Sequence, residues 1–214
     1  MNTESIGFVL PHWFYWGWLG VMPLIFMAWG KSKDVIPAVP YEAGGGALER
    51  GLDWLSDRTG LFVALWSVNA VVAYTYEVSA RYLFNMPTIW VHESSFLLFG
   101  MQYMLGGAYG LLHGSHVRVD VIYTRLTKRT QAAIDIFTSV FFFIFAVAMC
   151  STGWSFFAGS FAMDERSVET WQVQYWPVKG MMLLGAMLIL LAGIARLIKD
   201  IRTFETALRQ EVNA

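Results

Sequence analysis

The chain has 214 residues, of which 56 % are hydrophobic and only 14 % charged, with a mean hydropathy of +0.47 and a formal net charge of −1. Soluble domains carry about 25 % charged residues, so the composition excludes an ordinary water-soluble domain, and no basic run suits a nucleic acid. The expected class is an all-α integral membrane protein.

A spanning helix needs about 20 mostly apolar residues, and five stretches qualify or come close. The first, Trp13 to Gly30, has 18 residues with Pro23 inside, and no Lys or Arg precedes it as in a secretory signal. A Pro- and Gly-rich linker, "VIPAVPYEAGGG", follows. "ALERGLDWLSDRTG" then puts Leu48, Leu52 and Leu55 on one helical face, with Glu49, Arg50, Asp53 and Asp57 elsewhere. This predicts a short amphipathic helix on the inner membrane surface. The second span is expected from Leu61 to Ala80 and the third from Ser94 to Leu112. The fourth, Ile134 to Met163, would measure roughly 45 Å at 1.5 Å per residue and must tilt or project. The fifth runs from Pro177 to Ile198. This divides the chain into residues 1–46 (extra helix and linker), a four-helix membrane domain over 47–200, and a tail over 201–214.

Lys and Arg alternate between the two sides. Twelve of the fifteen fall in the segments 31–60 and 118–129 and in the tail from Arg196 onward. The positive-inside rule makes those segments cytoplasmic. The N-terminus and the 81–93 hairpin are then expected outside, and the C-terminus inside.

Ionisable groups deep in a membrane are costly and mark transport or proton pathways. Here the span centres hold only the amides Asn69 and Gln102, suited to interhelical hydrogen bonds of about 0.6–2 kcal/mol. Glu77 lies four residues before Arg81, on one helix face, and the two should pair. Lys179 can snorkel from the outer end of the last span. Cys150 lies in an apolar run and, being single, forms no intramolecular disulfide.

A haem-carrying redox anchor is the alternative reading, because His12 and His92 lie near one surface and His113 and His116 near the other. Spans two, four and five contain no His, which disfavours it. "HGSH" with Asp120 is a thin metal-ligand set, and no nucleophile with a base is present. No enzyme activity, cofactor or metal is expected. Gly106 and Gly110 form a GxxxG beside Gly107, and Ala148, Ser151, Ser155 and Gly159 make a smooth stripe. Small residues permit close helix approach, inside the bundle or against a second membrane protein.

Two polar motifs flank the third span, "ARYLFNMPTIWVHE" outside and "GAYGLLHGSHVRVDV" inside. In this order they resemble the small membrane subunit, DctQ-like, of tripartite ATP-independent periplasmic (TRAP) transporters, over about residues 47 to 200. The positions matching the family pattern are Arg81, Tyr82, Phe84, Asn85, Trp90 and Glu93, then Leu105, Gly106 and Tyr109, and finally His116, Arg118 and Asp120. The resemblance implies a non-catalytic four-helix scaffold in the bacterial inner membrane. Its partner would be a large elevator-type subunit of about a dozen spans, each obeying the same length rule. A periplasmic binding protein would deliver substrate, typically an organic acid, for uptake by symport driven by an ion gradient. Two departures stand out, the extra N-terminal helix and His92, where an acidic residue is the commoner neighbour of Glu93. Arg81 and Glu93 are expected to pair across the outer turn, with His116, Arg118 and Asp120 as an inner-face clamp. Together with Gly110 these residues are the expected structural or partner-contact set.

Overall fold

The structure, a computed structural model, describes residues 9–32, 45–115, 123 and 125–212. Its helices are α1 (His12–Ser32), α2 (Ala47–Ala64), α3 (Trp66–Leu83), α4 (Val91–Leu112), α5 (Lys128–Ala162) and α6 (Trp176–Val212). The described residues form no strand; a single antiparallel bridge joins Arg166 to Gln174. Among the described residues four helical stretches are long and apolar enough to cross a membrane: Ala47–Leu83, Val91–Leu112, Lys128–Ala162 and Trp176–Gln210. The expected first span, α1, is not among them. It forms as a helix rich in Trp13, Tyr15, Trp16, Trp18 and Trp29, side chains that suit the headgroup level at either end of a helix.

The amphipathic segment differs from expectation. Only Leu65 separates α2 from α3, so the polar stretch is the lower half of one 37-residue helical rod, not a separate helix on the surface. Its burial is also inverted. Leu48 and Trp54 are exposed, while Glu49, Asp53 and Asp57 are buried against the bundle. The cause is charge pairing. Glu49 accepts from Arg202, Asp53 from Lys199 at 2.8 Å, and Asp57 meets His113 Nε2 at 3.1 Å. Acidic residues four apart share one helix face, and this face meets the basic C-terminal half of α6.

α4 is the centre of the bundle, packed on α2, α3 and α6. Close approach comes from glycines. A Cβ at Gly185 would lie 2.6 Å from the Met104 carbonyl oxygen, and one at Gly107 would lie 2.7 Å from Ile189 Cδ1. Gly60 leaves room for the Tyr109 ring, and Gly193 for Phe142. Across the middle of the bundle, Gln102 donates to Ser67 Oγ at 3.0 Å. α5 packs mainly on α6, leaving Phe137, Phe141, Ile144 and Phe145 exposed along it. α1 lies on the outer half of the bundle through Tyr15, Leu19 and Met22, a helical i, i+4, i+7 stripe in the apolar core. Tyr15 donates to the Ser94 carbonyl at 3.0 Å, and the Trp66 indole donates to the Leu19 carbonyl at 2.9 Å.

Candidate functional site

The α3–α4 hairpin turns through Asn85, whose φ of 53° is left-handed. Asn tolerates that region better than most residues, and the reversal brings the Met86 N–H to the Ala80 carbonyl at 2.9 Å. Pro87 follows, and after it the chain is tied back to α3 by Glu77. The Glu77 carboxylate accepts from Arg81 Nε at 2.8 Å on one oxygen. On the other it accepts the Thr88 N–H at 2.9 Å, and the Thr88 hydroxyl as well. Glu77 and Thr88 are buried. The Glu77–Arg81 pair expected from their spacing forms, whereas the expected Arg81–Glu93 pair does not. The reason is geometric: Arg81 is occupied one turn back on its own helix.

Glu93 stands in the first turn of α4, 8 % exposed, and neither carboxylate oxygen has a hydrogen-bond partner. Tyr82 and Phe84 are exposed at 78 % and 69 %, so these two motif residues face away from the bundle. Trp90 is buried and stacks on Tyr76, with ring centroids 6.3 Å apart. Beside it sits Trp171, 3 % exposed, from the α5–α6 loop. The Trp171 indole donates to the Leu10 carbonyl at 3.1 Å, and its own carbonyl lies 2.8 Å from His12 Nε2. His12 and Tyr15 pack edge-on to it. Trp171 thus joins α1, the hairpin and the outer loop, a role that no local sequence pattern announces.

The outer loop is held by its own pairs. Ser167 N–H donates to Val173 O at 2.8 Å, Arg166 Nη2 to Asp164 at 2.9 Å, and Lys179 to Glu165. Arg166, then Gln174, hold the Asp164 carboxyl below the usual range, and Lys179 does the same for Glu165.

At the opposite end of the bundle, α4 ends at Gly114 (φ 66°), with Ser115 N–H closing on the Gly110 carbonyl at 2.9 Å, a Schellman geometry. Leu105 is buried, and Tyr109 stacks on His113 with centroids 4.1 Å apart. Gly106 touches no other element, since a Cβ there would meet nothing within 4 Å. The expected clamp of His116, Arg118 and Asp120 lies outside the described residues. Among the described residues no group of three or more His, Cys, Asp and Glu could hold a metal. Sequence reasoning missed the Thr88 tie and the α2–α6 pairs. The usable signal for the latter was the i, i+4, i+8 row Glu49, Asp53, Asp57 facing Lys199 and Arg202.

These features define a multi-pass helical membrane protein whose charged pairs, among the described residues, lie at the two ends of the bundle and whose middle joins uncharged polar groups such as Gln102 and Ser67. Residues 70–203 match the family model for tripartite ATP-independent periplasmic transporters, DctQ component. The match covers more than half of the chain, and the protein belongs to this family, the small membrane component of TRAP transporters. The family works in the inner membrane with a large membrane component and a periplasmic binding protein. No curated protein matches the chain.

Proposed function

We propose that the chain braces the immobile part of a large, elevator-type TRAP component and takes no part in moving substrate. The observation that carries this reading is the separation of polar groups. At one end Glu77 of α3 ties down the hairpin through Thr88, and at the other Asp53 of α2 pairs with Lys199 of α6, while the middle of the bundle brings together only uncharged groups such as Gln102 and Ser67 among the described residues. A frame fixed at both ends resists shear, as the stationary partner of a moving domain must.

The transported solute in this reading is an organic acid, and the energy source is an ion gradient. The hairpin and the α5–α6 loop face the periplasm beside the binding protein, and α6 ends in the cytoplasm, in line with the basic-residue bias. α1 acts as a fifth membrane helix. The descent of its contacts from Trp171 through Ser94 to Trp66 supports that path.

The test is gentle purification of the tagged chain from its native membranes, with identification of what accompanies it. A large polytopic protein at one-to-one stoichiometry is expected. A chain that purifies alone, or with redox subunits, contradicts the proposal.

A further inference from the structure

Among the described motif residues, Glu93 is the carboxylate that the fold leaves unanswered. It is 92 % buried, both of its oxygens lack a hydrogen-bond partner, and Arg81 is committed to Glu77. An ionised carboxylate withdrawn from water is costly unless a cation meets it. Glu93 lines a cleft of about 360 Å³ with His92, Phe96, Glu169 and Tyr175, and no Lys or Arg lines it.

Resting on the function proposed above, we infer that this cleft is a socket for a lysine or arginine side chain, carried by a membrane helix of the large TRAP component that lies along the free face of α4. Two carboxylates with apolar walls suit a cation on a long apolar stem, which covers Phe96 and Leu97 while its head meets the exposed Glu169 and draws out the Glu93 carboxylate, whose oxygens are covered in the isolated chain. A bare metal ion is not suited here, because His92, Glu93 and Glu169 line the cleft without forming a group that could hold one.

The direction of approach follows from one face of α4. His92, Phe96 and Tyr103 are exposed on it, and the half-buried Phe99, Gly106 and Gly110 continue the same row at the spacing of one helix face, running inward from the cleft. Phe96 and Tyr103 are 75 % and 77 % exposed, and Gly106 meets nothing. Tyr103 lies ten residues past Glu93, about 15 Å deeper along the helix, beyond the reach of a soluble protein docking from outside. The small Gly106 and Gly110 at the far end allow a partner helix to approach closely.

The test uses the tagged full-length chain co-expressed with its large component and binding protein. A photoreactive benzoylphenylalanine replaces Phe96 or Tyr103 on an otherwise native chain, and Glu93→Gln is made separately. Both photoprobes should label the large component, and the adduct from position 96 should map within about one helical turn of a Lys or Arg. Glu93→Gln, checked as monodisperse in detergent, should bind the large component roughly thirtyfold more weakly or worse. Labelling of lipid alone or of the binding protein, or no basic residue near the adduct, overturns the socket whether or not the Gln variant folds. So does unchanged binding by a folded Gln variant. If the wild-type chain captures the large component while these results fail, only the socket falls. If the wild-type chain captures none, the functional reading falls with it.

Discussion

Lys199 Nζ donates to Asp53 Oδ2 at 2.8 Å across 146 residues of sequence, and both side chains are largely buried. One turn earlier on α2, Glu49 accepts from Arg202. Together they fasten the start of the long α2–α3 rod to the C-terminal half of α6. Removing one partner of a buried pair leaves an uncompensated charge and costs about 3–5 kcal/mol. Asp53→Ala should therefore lower the thermal midpoint of the detergent-solubilised protein markedly. Exchanging the two residues (Asp53→Lys with Lys199→Asp) should restore most of the loss, and equal destabilisation in single and exchanged variants would contradict the pairing.

At the outer turn, Glu77 holds both Arg81 and Thr88, whereas Arg81 is half exposed and reaches Glu77 alone. Glu77→Ala should destabilise the hairpin more than Arg81→Ala does. Hydrogen exchange of the amides from Phe84 to Trp90 reads this directly. The Thr88 amide should lose protection in the Glu77 variant and keep most of it in the Arg81 variant.

Glycines divide into those that permit close packing and those that do not. Gly185 faces the Met104 backbone, which cannot move aside as a side chain end can. Gly185→Ala should cost roughly 1–3 kcal/mol by overpacking. Gly106→Ala should leave the stability of the isolated chain unchanged, because nothing lies within 4 Å. Thermal melts of the two variants beside wild type decide this.

The outer loop should loosen in acid. Asp164 and Glu165 are held below their ordinary values of 3.8 and 4.5 by Arg166 and Lys179. A carboxyl whose folded value is lowered adds stability above its unfolded value, and the gain is lost as pH falls through the folded one. Exchange protection of residues 164–175 should thus be constant from neutral pH to about 5 and fall below about 4. Asp164→Asn should abolish part of that dependence.

The apolar runs of α3, α4, α5 and α6 were legible because about 20 hydrocarbon-compatible residues leave few alternatives. The two polar motifs carried the family. α2 was misjudged because acidic residues on an amphipathic helix look the same whether they face water or a basic helix, and Lys199 lies 146 residues away. The Arg81–Glu93 pairing failed for a related reason. Facing positions across a turn suggest contact, yet the i, i+4 partner Glu77 is already in reach on the same helix. Trp171 was invisible because its partners, Leu10, His12 and Trp90, come from distant segments. For α1 the sequence leaves two paths open, a span or an interfacial segment, because its Trp and Tyr content falls between the two and it is not among the four apolar helices.

The central claim is that this chain braces a transporter without moving solute itself. Proteoliposomes containing the small chain, the large component, or both, supplied with the binding protein, organic acid and an imposed ion gradient, test it most directly. Gradient-dependent uptake is predicted only when both membrane components are present, with none from the small chain alone. Uptake by the small chain alone, or undiminished uptake by the large component without it, would contradict the account.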